Sequence, residues 1–269
     1  MKNVLLIVFV LLCIGLPAQT PPTAPSTAPS LEVPVEEKSA RIGAGLGCSF
    51  AGFRDETDLP LNRYINAFTF VFNGNIEKGP RFHSFNLGVF GGELQPLEIA
   101  QDEQFFSYFQ NAAVFTRLYL EYALDYRLWG NQAFPGYLGG SLRGDMYFAY
   151  LRQTFYYSFT GIISLNIHAS QKWNINARNS LIFSAGLPVV GFAARPPYNG
   201  IFLSLFDFDQ KITSLHNYWA VFGDLKYYHK VNALLSLNTG LGFEFSHINF
   251  PQPRRDAIFR LNAGIAFTF

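Results

Sequence analysis

The sequence predicts an all-β protein, an antiparallel transmembrane β-barrel of about ten strands, and three observations predict it. The chain of 269 residues is 49% hydrophobic and 17% aromatic but only 14% charged, whereas soluble domains carry about 25% charged residues. Beyond the first twenty residues, no apolar run approaches the ~20 residues that a transmembrane helix needs. Apolar and polar residues instead alternate from Arg41 to Phe269, and this period-two pattern indicates half-buried strands.

Residues 1–18 are typical of a secretory signal peptide, which is removed from the mature protein. The segment has a basic start at Lys2, an apolar core from Val4 to Leu16, and the small residue Ala18 before the expected cleavage point. Without this leader, Cys48 is the only cysteine, so no intramolecular disulfide can form. Stability must therefore come from the fold itself.

Residues 19–39 are rich in Pro, Thr and Ser and contain the near-repeat TAPSTAPS. Such a composition cannot bury a core and predicts an extended periplasmic linker. The linker is interpreted as a passive spacer, with a tether to a periplasmic partner as the alternative. Residues 40–269 form the predicted barrel.

The charge balance excludes general electrostatic binding of nucleic acid. One of the 20 basic residues, Lys2, lies in the leader, so the mature chain has as many basic residues as its 19 acidic ones. A neutral chain lacks the basic surface that nucleic-acid binding needs.

The last segment illustrates the predicted strands, because its apolar residues share one face with Phe259 and Phe267 while Arg260 and Asn262 share the other. Most of the ten segments exceed the ~9–11 residues of a membrane-crossing strand. They are 41–53, 63–73, 81–93, 112–128, 136–150, 155–169, 174–190, 216–229, 233–247 and 256–269. Eight or twelve strands would follow if the loop 191–215 or residues 105–112 were misassigned.

The connections between these segments alternate in length, as they do in outer-membrane barrels. Every second connection is tight and carries turn residues, for example Asn73-Gly74-Asn75 and Gly130-Asn131. The others are predicted to be longer loops at the outer end, apart from the short one at 151–154. They are 54–62, 94–111, 191–215 and 248–255. This parity places both chain termini in the periplasm.

Aromatic residues near the strand ends predict two girdles at the membrane interfaces, where Trp and Tyr collect. The residues expected there include pairs of neighbours at the ends of strands. They are Trp129, Tyr137, Tyr156, Tyr157, Trp173, Tyr218, Trp219, Tyr227 and Tyr228.

These features together resemble bacterial outer-membrane β-barrel proteins. The resemblance rests on the signal peptide, the alternating strands, the loop parity and the terminal aromatic of AGIAFTF, and it covers about residues 40–269. It implies a location in the bacterial outer membrane, contact with outer-membrane lipid and lipopolysaccharide, and recognition of Phe269 by the barrel-assembly machinery. The composition and the proline-rich linker look like those of Bacteroidetes proteins. Fold alone does not fix activity.

Alternation assigns an inward face to each strand, and the inward positions hold a set of charged residues. The predicted network consists of Arg117, Glu121, Asp125, Arg127, Arg143, Asp145, Arg178, Asp224, Lys226, Glu244 and Arg260. We expect Glu121 to lie near Arg143 and Asp145, and Glu244 to lie opposite Arg260. Lumen-facing glycines at Gly43, Gly45 and Gly47 leave space for long side chains from across the lumen.

Three classes of function follow from this network. The favoured interpretation is a lumen filled by its own side chains, because a barrel of eight to ten strands is narrow, in a non-enzymatic protein with a structural or interaction role. The first alternative is a narrow porin-like channel for small solutes. The second is an outer-membrane hydrolase that modifies lipids.

A hydrolase would need a His that activates a Ser. The candidate strings are His83-Ser84-Phe85-Asn86, which puts His83 and Ser84 on opposite faces, and His168-Ala169-Ser170-Gln171, which keeps His168 and Ser170 on one inward face.

A surface protease would need Asp and His at the outer rim, where the sequence offers only two sets. They are His216 with Asp207 and Asp209, and His247 with Asp256. Neither set is predicted to be catalytic. The sequence also predicts no metal site and no cofactor, because the five His are scattered and no Gly-rich phosphate loop opens a helix.

The loop at 191–215 is unusual because its centre, Ile201-Phe202-Leu203-Ser204-Leu205-Phe206, is apolar. An apolar loop should pack against something. We expect it to fold into the mouth of the barrel as a plug, with a membrane surface or a partner as alternatives.

Overall fold

The computed structural model is a closed antiparallel barrel of ten long strands with one short additional strand. It describes residues 39–55, 59–96, 113–131, 133–151, 156–195, 209–215, 217–250 and 253–269. Within these residues all regular secondary structure is β-strand, which confirms the predicted fold class. None of the described residues forms a helix that is both long and apolar enough to cross a membrane.

The strands are β1 (Ser39–Asp55), β2 (Leu59–Lys78), β3 (Arg81–Pro96), β4 (Ala113–Trp129), β5 (Gly136–Leu151), β6 (Tyr156–Asn174), β7 (Asn179–Arg195), β8 (Asp209–Ser214), β9 (Tyr218–Lys230), β10 (Leu235–Asn249) and β11 (Pro253–Thr268).

The ring closes because the first and last strands pair with each other, from Arg41 opposite Thr268 to Asp55 opposite Arg254. Each other long strand pairs with its neighbour along the chain, and β7 pairs with both β6 and β9. β8 pairs with the last six residues of β7, from Val190 to Arg195. Closure leaves no free edge between the first and last strands.

The two ends of the barrel differ. The end at which β1 begins and β11 ends, which we name the turn end, has the connections 79–80, 130–135, 175–178 and 231–234. The opposite loop end has 56–58, 97–112, 152–155, 196–208 and 250–252. The connections at the turn end are short, as predicted, but the turn predicted at 170–173 is wrong because those residues lie within β6. The predicted long loops at 54–62 and 248–255 are also wrong, because the alternation of their flanking strands continues almost to the turn.

The β2–β3 turn also differs from the prediction. β2 runs through Gly74 to Lys78, and the two-residue turn is Gly79-Pro80, with Gly79 at a φ of 56°. Glycine adopts this left-handed conformation without the steric cost of a side chain.

The outer surface of the barrel is apolar, and the lumen is where polar residues are buried. Exposed outward residues include Leu46, Phe68, Leu142 and Leu261, between 51% and 65% exposed. Cys48 is exposed on this same surface. Because neighbours on a strand alternate between faces, the apolar outside and the polar inside are two consequences of one pattern.

The same alternation corrects the predicted aromatic girdles. Trp219 and Tyr227 lie on the outside, whereas their neighbours Tyr218 and Tyr228, together with Tyr137, are at most 4% exposed inside the lumen. Adjacent residues cannot both face outward on a regular strand, so the predicted pairs Tyr218-Trp219 and Tyr227-Tyr228 are each divided between the two faces. The side chains of Tyr156 and Tyr157 lie outside the described residues.

Candidate functional site

The lumen is filled by three successive groups of side chains. An apolar cluster near the loop end contains Phe53, Phe115, Tyr147 and Phe222 with ten other buried residues. A smaller cluster near the turn end contains Phe82, Tyr137 and Tyr228. Between them lie buried charged residues, which form the candidate site.

The centre of the site is a group of four side chains that we name the charge layer: Arg117 of β4, Arg143 and Asp145 of β5, and Glu244 of β10. Arg117 donates to Asp145 through Nε at 3.1 Å and to Glu244 Oε1 at 2.6 Å. Arg143 donates to Asp145 Oδ2 at 2.7 Å and also to Glu244. Each carboxylate therefore bridges both guanidinium groups, and the four charges cancel.

All four side chains are at most 2% exposed. In the ring of ten long strands, four strands separate β4 from β10 in either direction, so the two strands lie opposite each other. Glu244 therefore joins the charge layer from across the lumen. Charge-assisted hydrogen bonds of this kind are roughly twice as strong as neutral ones.

Aromatic rings surround the arginines. The guanidinium carbon of Arg117 lies 4.7 Å from the ring centre of Tyr147, and that of Arg143 lies 4.2 Å from Phe222. Planar guanidinium groups stack on aromatic faces with favourable cation–π energy. The rings thus replace water around charges that would otherwise be costly to bury.

Two further pairs of polar side chains each meet across a glycine on the strand between them. Asp224 of β9 and Arg260 of β11 lie on either side of Gly242, and their oxygen and nitrogen are 3.7 Å apart. Asp125 of β4 and His168 of β6 lie on either side of Gly139, and His168 Nδ1 is 2.7 Å from Asp125 Oδ2.

The glycines are required by the geometry. A Cβ on Gly242 would lie 2.7 Å from Asp224 Oδ1 and 2.8 Å from Arg260 Nε. A Cβ on Gly139 would lie 2.8 Å from Asp125 Oδ1 and closer still to backbone. Because these two glycines have no side chain, the residues on the two neighbouring strands can meet across the strand that carries each glycine.

The other predicted residues have separate partners. Glu121 is buried and accepts a hydrogen bond from Ser141 at 2.9 Å, and its register partner is Arg143, as expected. Lys226 donates to Asn86. Arg127 donates to the carbonyl of Gly130 at 3.3 Å near the turn end.

Two predictions about this network are wrong. Arg178 is exposed in the turn between β6 and β7, because β6 extends to Asn174 and the turn starts after it. Glu244 lies opposite Ile258 and binds Arg117 and Arg143, while Arg260 pairs with Asp224 instead.

Sequence reasoning missed charged residues near the barrel ends, among them a buried ion pair at the loop end and a partly buried one at the turn end. Arg254 donates to Asp256 at 2.9 Å near the loop end. At the turn end, Glu77 accepts from Tyr137 at 2.6 Å and from Lys172 at 2.5 Å. Arg254 lies on the same inward face of its strand as Arg260, and Glu77 lies on the same inward face as Asn73. Glu77 was missed because the predicted strand ended at residue 73, and Arg254 because the predicted last strand began at residue 256.

The hydrolase strings do not form a nucleophile and its base. His168 and Ser170 are both buried, but each bonds Asp125 Oδ2, at 2.7 and 2.9 Å. His83 lies on the outer face and bonds the hydroxyl of Tyr122 at 2.8 Å, while Ser84 is buried.

Of the two rim candidates for a protease, only the set of His247 and Asp256 is described, and these two side chains do not come together. His247 packs on the outward Trp219, whereas Asp256 points inward to Arg254. His216, Asp207, the side chain of Asp209 and the apolar centre of the predicted plug, 201–206, lie outside the described residues. Within the described strands, no three His, Cys, Asp or Glu side chains converge as metal ligands.

No known protein-family model matches the sequence, and no curated protein matches it significantly. In structure, the chain is similar to the outer membrane protease OmpT from Escherichia coli, with a TM-score of 0.50 and 9% identity over 88% of this chain and 98% of that one.

It is also similar to Neisserial surface protein A, with a TM-score of 0.41 and 10% identity over 87% of this chain and 100% of the other. A third similar structure is an outer membrane channel from Pseudomonas putida F1, with a TM-score of 0.37 and 10% identity over 91% and 100%. The chain has the fold of Gram-negative outer-membrane β-barrels. The Bacteroidetes-like origin stays a prediction.

The likeness to OmpT contradicts our prediction that the protein is not an enzyme, because a barrel of this fold serves as an outer membrane protease. At 9% identity the likeness concerns the fold. It assigns no reaction to this chain, since activity resides in a site and not in a fold.

Proposed function

We propose that the protein is an integral outer-membrane barrel whose lumen is closed by its own side chains, and that it acts as a structural or interaction component of that membrane. The observation that carries this proposal is the charge layer, which reaches from β4 and β5 to β10 through paired and buried side chains. Small barrels hold little more than the side chains that fill them.

The outer surface supports the location. Its exposed Leu, Ile and Phe side chains suit contact with acyl chains. The proposed orientation puts the turn end in the periplasm, together with the 19–39 linker. Phe269 pairs with Ala40 through two backbone hydrogen bonds of 2.8 and 3.2 Å, and its ring is exposed. A ring so placed is available to the barrel-assembly machinery.

Conductance across a planar bilayer tests the closed lumen, using the chain without residues 1–18. We expect the wild type to stay silent at all voltages, because an ion would have to separate the paired charges of the charge layer. A variant with Arg117, Arg143, Asp145 and Glu244 replaced by Ala, together with Phe115 and Tyr147 of the loop-end cluster and Phe82 and Tyr137 of the turn-end cluster, is the control and should conduct. Stable current steps from the wild type would contradict the proposal.

A narrow channel remains the second candidate, and one observation favours it. The lumen-facing residues Gly47 of β1 and Asn262 and Gly264 of β11 are partly exposed, and the lumen-facing side chain of Asp224 is 14% exposed. A passage would follow the wall that carries these residues. The bilayer measurement decides between the two candidates.

Affinity purification from native membranes tests the interaction role. We expect a partner to co-purify with the full chain and to be lost when residues 19–39 are deleted. Recovery of the barrel alone at low detergent, with and without the linker, would count against a periplasmic partner.

A further inference from the structure

The hydrogen-bonded wall of the barrel is interrupted between β7 and the strands that follow it. β7 pairs with β9 up to Gly186 opposite Phe222, and it pairs with β8 from Val190 opposite Ser214. Leu187, Pro188 and Val189 belong to neither set of pairs. We name this stretch, with residues 217–221 facing it, the seam.

Two local features produce the seam. Pro188 has no N–H to donate to a neighbouring strand. Val189 is an extra residue in the pairing with β6, where Leu165 faces Val190 and Asn166 faces Pro188, so the strand bulges at this point. A turn closed by a 2.9 Å bond from Asn217 to Ser214 separates β8 from β9. The first residues of β9 consequently pair with β10 alone.

The seam is apolar on its outer side. Leu187, Val189, Val190 and Leu215 are between 39% and 52% exposed there. At the bulge the alternation between the two faces shifts by one residue, so both Val189 and Val190 face outward. This widens the apolar strip beside the interruption.

The seam is also apolar on its inner side. Ala193 of β7 and Ala220 and Phe222 of β9 border it, and all three belong to the apolar cluster of the lumen. The ring of Phe222 lies over Gly186, where an added Cβ would be 2.3 Å from it. Because Ala193 and Ala220 are small, the ring of Phe222 is the large side chain between the outer side of the seam and the apolar cluster.

We propose that the seam is a lateral port through which a hydrocarbon chain passes from the bilayer into the apolar cluster of the lumen. This inference rests on the proposed membrane location. A hydrocarbon chain fits because residues on both sides are apolar and because the missing ladder bonds remove the main barrier to separating two strands. The charge layer closes the inner end of this site, since a hydrocarbon gains nothing by displacing paired ions.

A polar group at the loop-end edge of the seam indicates how the hydrocarbon chain is oriented. Thr213 is fully buried opposite Gly191, and its hydroxyl has no hydrogen-bond partner among the described residues. A buried hydroxyl without a partner costs free energy that an ester or carboxyl oxygen would recover. The ligand is therefore an amphiphile, either a membrane lipid or a free fatty acid.

Photo-crosslinking tests the port in vesicles that contain the full chain without residues 1–18. One sample carries a phospholipid with a diazirine in its acyl chain, and the other a diazirine fatty acid, with adducts located by peptide mass spectrometry. We expect adducts on the inward residues Ala193, Ala220 and Phe222 in addition to the outward Leu187. Inward adducts in the first sample identify a lipid source and in the second a free amphiphile, and either supports the port.

Adducts confined to outward residues in both samples would overturn the port while leaving the membrane location intact. The absence of adducts from both faces would contradict the membrane location and the port with it.

A reversible disulfide gives an independent measurement. Leu187→Cys with Val221→Cys, in a Cys48→Ser background, places thiols on the outer face just beyond the last paired residues Gly186 and Phe222. Oxidation should abolish the inward adducts, and reduction should restore them. The control is Leu237→Cys with Ile265→Cys, a register pair in the unbroken β10–β11 ladder, where oxidation should change nothing. Inward adducts that survive oxidation of the seam pair would contradict the port.

Discussion

Arg143→Met is expected to lower the free energy of unfolding by about 3–5 kcal/mol, the cost of leaving a buried charge without its partner. Asp145 and Glu244 each accept from both Arg117 and Arg143, so removal of one guanidinium leaves two carboxylates to share the other. Equilibrium unfolding in urea, followed by tryptophan fluorescence of the barrel in vesicles, measures the loss.

The matched control is Arg127→Met, which removes an arginine whose hydrogen bond to Gly130 lies at the exposed turn end. It should cost less than about 1 kcal/mol. Replacement of all four members of the charge layer by apolar residues of similar size should restore stability to near the wild-type value or above it, by up to about 4 kcal/mol. Equal stabilities for Arg143→Met and Arg127→Met would contradict the role of the charge layer.

Gly139→Ala is expected to lower the free energy of unfolding by about 3 kcal/mol or more, because it separates the buried pair Asp125 and His168. The new methyl group would also meet the carbonyl oxygen of Leu124 at 2.1 Å, so neither the side chains nor the backbone can keep their places. The same urea titration measures the effect.

Gly144→Ala provides a control on the same strand. Gly144 faces outward, and an added Cβ there meets nothing within 4 Å. This change should be neutral or should stabilise by up to about 1 kcal/mol, because alanine loses less backbone entropy on folding. A comparable loss of stability in both variants would show that the space over Gly139 is not what the pair requires.

The sequence allowed the faces of the strands to be predicted but not the contacts across the lumen. Alternation alone placed Arg117, Asp145 and Glu244 inside, since a strand offers only two directions. Which carboxylate meets which arginine depends on how far each strand is shifted as the ring closes. Glu244 and Arg117 are 127 positions apart, and their contact is set by the register of every strand between them.

Strand ends were the other source of error. Arg178 was placed in the lumen because the seventh segment was started at residue 174, within what is β6. The seam at Pro188 was also missed, since period-two alternation predicts which way a residue faces and carries no information about whether the neighbouring strand pairs with it.

The pairing of β1 with β11 has a consequence for the kinetics of folding. β1 is synthesised before every other barrel strand, but the backbone groups on one of its edges stay unpaired until β11 is available. Contacts so distant in sequence make folding slow, because the entropy of a nearly chain-long loop is lost before the pairing compensates for it. Until that moment two unpaired edges are exposed to aggregation. The protein therefore spends its most vulnerable interval as an almost complete sheet, and the speed of ring closure sets how long that interval lasts.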